Sequence, residues 1–441
     1  MNWVYLSSLL TIALYFKFSR VWSIRNVDIV GLLLFAPGLV MVEYGRNNLD
    51  SEAVSYTGFL WLFTIGGIFL IRLLLDSVMV RRPLLEPNLS VGGMTFLGVS
   101  LLLFLMTNVA NSTPAELSPE PIEVAAKDII ESDPGEPLTG IKKYGPRYPL
   151  LNLLPAITTQ QYFENKTGVR QVFEREMSDP KRLAAAKTIA ILSHLAVVAG
   201  LLFIGYRHFD NGKIGMAASV LYLLLPYTAA MTGRVDHVLP AALLVWTIAM
   251  YRKPMISGLF MGLSIGVIYY PIFLLPLWIS FYWRRGLLRF CSGVLVTVGI
   301  LTGVLAFYYP NLEALWPGLQ QMFGLAVPKM ENIDGFWAMP GIDPPWRVPV
   351  MALIIVLGGS FALWPAQKNL GTLMSCTAAM MLGMQFWHPH EGGLYMAWYL
   401  PILLLTMFRP NLEDRVAVSV LSLGRRARRV TVGKSATDQA A

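Results

Sequence analysis

Charge is scarce in this sequence. Lys, Arg, Asp and Glu make up 14% of 441 residues, against about 25% in an average soluble domain, which excludes a surface wetted on all sides. Cysteine is nearly absent too. Cys291 and Cys376 both sit inside apolar runs, so neither a disulfide framework nor a cysteine metal site is available. No His-Glu-x-x-His or Gly-x-Ser-x-Gly pattern occurs, which removes the zinc-protease and serine-hydrolase signatures. The lack of any Asp-x-Asp pair removes the usual metal clamp for a nucleotide-sugar diphosphate. Gly433-Lys434-Ser435 ends like a P-loop, yet Arg428 stands where the first glycine belongs and no strand precedes it. No cleavable leader is read either: Asn2 leads straight into an apolar run, and the first cation is Lys17 on its far side.

Apolar residues fill the space that charge leaves. They make up 55% of the chain, and the mean hydropathy is +0.54. A crossing needs roughly 20 apolar residues and must close its own backbone hydrogen bonds, so apolar runs of that length are helices. Nothing alternates with the dyad period of a membrane β-barrel. Apolar runs are read near 3–19, 28–44, 57–75, 90–109, 188–206, 214–231, 237–250, 287–309, 347–366, 370–387 and 393–408. The stretch 255–283 is too long for one crossing and carries Pro271 and Pro276, so it is expected to be two short helices turning at Tyr270-Pro271. The expectation is an all-α, polytopic bundle of about 12–13 spans.

The short loops set its orientation. Lys17, Arg20, Arg25, Arg81, Arg82, Arg207, Lys213, Arg252, Lys253, Arg284, Arg285, Arg289 and Lys368 fall in alternate gaps, and the tail from residue 409 adds more arginine. A bias of this kind places that side in the cytoplasm, with the N-terminus outside and the C-terminus cytoplasmic. The same bias accounts for the net charge of +8 without nucleic acid as a partner. The arginine-rich tail is expected to touch anionic lipid. Residues 1–89 read as an N-terminal three-helix membrane extension, 90–410 as the membrane core, and 411–441 as a basic cytoplasmic tail. Segments 110–187, 310–346 and 388–392 then face outward.

The first of these segments carries the densest polar chemistry. Glu116, Glu120, Glu123, Asp128, Glu131, Asp133 and Glu136 come first. Lys142, Lys143, Tyr144, Arg147 and Tyr148 follow, and then the apolar run Leu150 to Ile157. Two readings stand: a solvated acidic linker with an interfacial anchor, or a carboxylate base beside a cationic, aromatic cradle for a phosphorylated, sugar-bearing ligand. Arg234, Asp236 and His237 sit at a short outer turn, and Trp387, His388, His390 and Glu391 at another. Boundary Trp and Tyr ordinarily form a belt. His194 is the main polar residue at mid-span, read as a packed histidine or as part of a transport path.

Several segments, in order, resemble the GT-C-fold, polyprenol-phosphate-dependent glycosyltransferases, nearest the family-87 mannosyltransferase-like branch. They are Tyr144-Gly145-Pro146-Arg147-Tyr148-Pro149, Gly233-Arg234-Val235-Asp236-His237, Gly258-Leu259-Phe260-Met261-Gly262 with Tyr270-Pro271, Trp387-His388-Pro389-His390, and Trp398-Tyr399-Leu400-Pro401. The resemblance spans about 90–408. It implies transfer of a hexose, such as mannose, from a polyprenyl-phosphate donor to an acceptor glycan, lipid or protein at the non-cytoplasmic face. Where that family begins its first outer loop with a catalytic aspartate, Glu116, Glu120 and Glu123 stand here, with Glu120 the first choice as base. Where its hairpin often carries a lysine before the proline, Tyr269 and Tyr270 stand. The resemblance assigns Lys142, Lys143, Arg147 and Arg234 to the donor phosphate, and Tyr144, Tyr148, Asp236, His237, Trp387, His388 and His390 to sugar or acceptor. No nucleotide or redox cofactor is implied, and a divalent metal stays open. The rival readings are a transporter or flippase of lipid-linked molecules and a catalytically silent membrane scaffold.

Overall fold

The computed structural model describes residues 2–48, 51–78, 85–112, 180–283, 285–308, 316, 319–320, 323–324, 333–366 and 368–410. Glu116, Glu120, Glu123, Lys142, Lys143, Tyr144, Arg147, Tyr148 and the tail 411–441 lie outside them. Among the described residues the regular structure is all helical, without strand.

The helices are α1 (Asn2–Tyr15), α2 (Ile24–Asn47), α3 (Glu52–Leu74), α4 (Val91–Asn111), α5 (Pro180–Arg207), α6 (Gly212–Leu224), α7 (Pro226–Ala230), α8 (Val235–Ala249), α9 (Pro254–Val267), α10 (Leu275–Tyr282), α11 (Leu287–Tyr308), α12 (Arg347–Ser360), α13 (Leu370–Gly383) and α14 (Leu400–Phe408). Local chemistry marks their starts. Ser23 and Ser90 accept from the amides of Asn26 and Gly93, and Asn369 with Thr372 closes a reciprocal capping box. Four helices among the described residues are long and apolar enough to cross a bilayer: Ile24–Arg46, Glu52–Leu74, Val91–Asn111 and Ala186–Arg207. Shorter apolar helical segments of 10–17 residues accompany them.

Packing puts α13 and α14 at the centre, where every residue of both is buried. Around them, α1 to α4, α11 and α12 turn apolar side chains outward, among them Leu9, Phe96, Leu103, Leu295 and Val356. Exposed apolar surface on this scale marks a face that meets something other than water. Small residues bring helices together where side chains would hold them apart. Gly31, Gly38 and Gly45 recur every seven residues along α2, and a Cβ on Gly38 would lie 2.8 Å from Leu62 of α3. Between α9 and α11, a Cβ on Gly293 would run into the Met255 carbonyl oxygen. The first three helices share one apolar core with the rest of the bundle. Phe63 of α3 stacks on Phe336 at 4.1 Å and meets Phe386 edge-on at 5.3 Å, while the Tyr15 hydroxyl donates to the Ala217 carbonyl at 2.8 Å.

Two ends of the bundle differ in character. At one, the cation-bearing turns meet: the Tyr282 hydroxyl donates to Tyr251 O at 2.6 Å, and the His208 ring is 2.7 Å from Ala249 O. A buried network closes this end. Arg72 holds Asp28 through Nε (2.9 Å) and Nη2 (2.8 Å), and Asp76 through Nη1 (2.9 Å). Arg409, at the end of α14, holds the other oxygen of Asp76 at 2.8 Å.

The opposite end holds the largest departure from the sequence reading. The run 393–408 was expected to be helical throughout, whereas α14 begins only at Leu400. Residues 387–399 are turns and a short 3-10 segment, with Glu391 at φ 50° and Gly393 at φ 94°. Side chains satisfy the backbone there in place of a helix. Gln385 Oε1 accepts from Gly393 N and Tyr395 N, both at 3.2 Å, and the Tyr227 hydroxyl accepts from Ala397 N at 3.0 Å. The run 214–231 likewise divides at Leu225-Pro226 into α6 and α7, as the missing proline amide requires. The 255–283 stretch turns at Tyr270, where a 3-10 segment, Tyr270–Leu274, joins α9 to α10.

Candidate functional site

Asp236 occupies the first turn of α8, where the helix dipole favours a carboxylate, and it is 5% exposed. Arg234, just before the helix, grips it with a fork: Nε to Oδ1 at 3.2 Å and Nη2 to Oδ2 at 3.1 Å. The Asp236 carbonyl accepts from Trp398 Nε1 at 3.0 Å, which fastens the start of α8 to the irregular segment before α14.

His237 is fully enclosed, with Nε2 3.5 Å from Asp236 Oδ2 and Nδ1 2.7 Å from the Tyr227 hydroxyl. Tyr227 already accepts from Ala397 N, so its hydroxyl donates its own hydrogen bond to His237 Nδ1. The Nε2 proton of a neutral His237 then faces the carboxylate.

An aromatic ladder joins this turn to the second one. The His237 ring stacks on Tyr395 at 4.6 Å, and Tyr395 meets His388 at 4.5 Å and Trp398 at 4.6 Å. Tyr270, from the break between α9 and α10, lies 5.2 Å from His388 and 5.4 Å from Trp387. His388 Nδ1 is 2.5 Å from the His390 carbonyl oxygen and 3.2 Å from the His390 amide nitrogen, so its tautomer sets whether it donates or accepts there. At the rim, His390 Nδ1 is 3.3 Å from Asp334 Oδ2, and Arg46 from the end of α2 pairs with Glu391. Arg347, at the start of α12, donates to the Trp387 carbonyl through Nε (3.2 Å) and Nη2 (3.0 Å).

Arg234, Asp236, His237, Trp387, His388 and His390 therefore meet at one end of the bundle, opposite the cationic turns. Glu116, Glu120, Glu123, Lys142, Lys143, Tyr144, Arg147 and Tyr148 lie outside the described residues. Reading the sequence missed Tyr227, Tyr395 and Arg347. The usable signals were the apolar run broken at Pro226 and the lone cation opening the run at 347. His194 resolves as a packed histidine: Nε2 faces Thr232 O at 2.9 Å and Nδ1 the Tyr222 hydroxyl at 3.0 Å.

Chemically, the cluster offers a clamped carboxylate, two oriented imidazoles and a wall of aromatic faces, with Asp334, His390 and Glu391 toward solvent. Among the described residues no three His, Cys, Asp or Glu side chains gather closely enough to hold a metal ion. An apolar cleft lined by Leu32, Phe35 and Leu39 of α2 with Leu225, Tyr227 and Leu400 reaches the cluster at Tyr227. Comparison with protein-family models, curated proteins and solved structures finds no match.

Proposed function

We propose that this chain is a multi-pass membrane glycosyltransferase of GT-C type that moves a hexose from a polyprenyl-phosphate donor to an acceptor hydroxyl. On this reading the short apolar helices pair with the long ones to make about 12–13 crossings. The cationic turns lie in the cytoplasm, and the Asp236–His388 cluster opens on the other face. The observation that carries the reading is the meeting of two polar turns some 150 residues apart, joined by the His237–Tyr395–His388 ring contacts. The buried, mutually packed rings give a rigid frame that can hold polar groups in place for a sugar.

In the reaction, the Glu120 carboxylate takes the acceptor hydroxyl proton as that oxygen bonds to the anomeric carbon. The bond from this carbon to the phosphate oxygen breaks, and its electron pair leaves on the polyprenyl phosphate. Base catalysis of this kind contributes about 10²–10⁴-fold. Lys142, Lys143 and Arg147 stabilise the departing phosphate, where preorganised charge acts most. Arg234 is shared with Asp236 and positions that carboxylate as well.

Purified protein incubated with a radiolabelled polyprenyl-phosphate hexose tests the proposal. Label should move to a water-soluble or lipid acceptor, and Glu120→Gln should abolish the transfer while leaving insertion intact. Transport of the intact lipid without bond cleavage would instead make the protein a transporter, and full activity in Glu120→Gln would remove that residue as the base.

A further inference from the structure

The turn between α1 and α2 is held from within. Its backbone is tied inward by one side chain, Asn26, which is 1% exposed. Asn26 Oδ1 accepts from Lys17 N at 3.0 Å. Its Nδ2 donates to the carbonyls of Lys17 (2.8 Å), Arg20 (3.0 Å) and Val21 (3.2 Å). Asn88 braces the same corner, donating through Nδ2 to Ala13 O and Phe16 O, both at 3.0 Å. With the polar backbone thus satisfied, the apolar side chains point away from the protein: Phe18 is 69% exposed, Val21 49% and Trp22 93%. Arg20 is exposed beside them and Lys17 half-buried.

Cations elsewhere at this end divide: Arg207, Lys213, Lys253, Arg285 and Arg289 are exposed, whereas Lys368 and Arg409 turn inward. Lys368 Nζ donates to Ala362 O at 3.2 Å and Pro365 O at 2.9 Å, and Arg409 is spent on Asp76. Trp22 stands two residues before Ile24, where the span-length segment Ile24–Arg46 begins. A rigid turn that carries an indole, a phenyl ring and two cations at the edge of a span has the composition of an interfacial anchor. Its positive charge complements an acidic headgroup layer.

We propose that Lys17–Arg25 is a preformed binding site for anionic phospholipid. Phe18, Val21 and Trp22 enter the border of the acyl region while Lys17 and Arg20 hold the headgroup phosphodiester, and Asn26 is the positioning residue that keeps the turn in shape. The site needs no transfer chemistry and stands apart from the proposed glycosyltransferase activity.

The test uses the full chain reconstituted in vesicles of phosphatidylcholine alone, or mixed in equal parts with phosphatidylglycerol. A phosphatidylcholine brominated near the top of its chains serves as quencher. The Trp22 contribution, taken as wild type minus Trp22→Phe, should be quenched in both vesicles. Retention of phosphatidylglycerol by the protein, counted by native mass spectrometry, should fall about fivefold for each of Lys17→Gln and Arg20→Gln. Asn26→Ala keeps every lipid-facing side chain and should lose part of the Trp22 quenching. Should that variant fail to fold, Trp22→Ser, which touches no packed contact, replaces it and should lower phosphatidylglycerol retention. A Trp22 that no brominated lipid reaches, because protein or water covers it, overturns the proposal. So does phosphatidylglycerol retention unchanged in both charge variants.

Discussion

Replacing Asp76 by asparagine puts the buried network at the cationic end to a quantitative test. Two arginines there balance two aspartates. The Asp76 side chain is 0% exposed, and its two oxygens are divided between Arg72 and Arg409. Asp76→Asn keeps the shape and removes one negative charge, leaving the second arginine uncompensated in the interior. Breaking a buried pair in this way costs about 3–5 kcal/mol. At roughly 2–4 °C per kcal/mol for large domains, that lowers the unfolding midpoint by about 6 to 20 °C. The Arg46–Glu391 pair supplies the contrast, because its side chains are 37% and 31% exposed. Glu391→Gln should cost no more than about 1 kcal/mol. The assay is thermal unfolding of the purified protein in detergent at a fixed scan rate, followed by tryptophan emission and by the monodisperse fraction. The double variant Asp76→Asn/Arg409→Gln restores neutrality and should recover much of the loss, as a coupled pair must. A single variant that melts with the wild type refutes the reasoning, as does a double variant no better than the single.

Three further outcomes follow from the same geometry. Gly293→Val places a side chain against the Met255 carbonyl and should lower stability by about 1–3 kcal/mol or more. Gly299→Ala on the same helix, with nothing within 4 Å, should be neutral or stabilising, so equal melting of the two variants counts against the close approach of α9 and α11. Tyr227→Phe removes the partner of both His237 Nδ1 and Ala397 N and should cost about 1–3 kcal/mol, measured as earlier melting with the fold retained. A periplasmic-type reporter enzyme fused within residues 110–187 should be active, and one fused after residue 410 inactive; the reverse pattern inverts the orientation.

Most helices were legible because an apolar run of sufficient length has few alternatives. Residues 28–44, 57–75, 90–109 and 188–206 fall inside α2, α3, α4 and α5 or overrun them by one residue, although those helices begin as much as eight residues earlier, and Tyr270-Pro271 marked the broken hairpin. The failure at 393–399 has a different origin. Leu394, Tyr395, Met396, Ala397 and Trp398 are apolar enough for helix, but the side chains of nearby Gln385 and of Tyr227, far back in the chain, accept from amides that a helix would otherwise have used. Hydropathy counts carbon and is blind to such partners. The site was legible to the same extent. Arg234, Asp236 and His388 announce themselves as polar groups at turns, whereas Tyr395 reads as one more aromatic residue in an apolar stretch until its ring is seen between His237 and His388.

The unwound stretch ahead of α14 gives the first three helices a task. Its peptide groups are walled off by protein, and at Gly393 that wall is the flank of α3, where Leu62 and Phe63 border the glycine. Trimming the chain to its later helices would strip this shield and lay bare the residues that hold His388 and Trp398 in place. The amino-terminal hairpin is thus a roof over the cluster, and shortening the protein from that side should damage the distant turn before it loosens anything nearby.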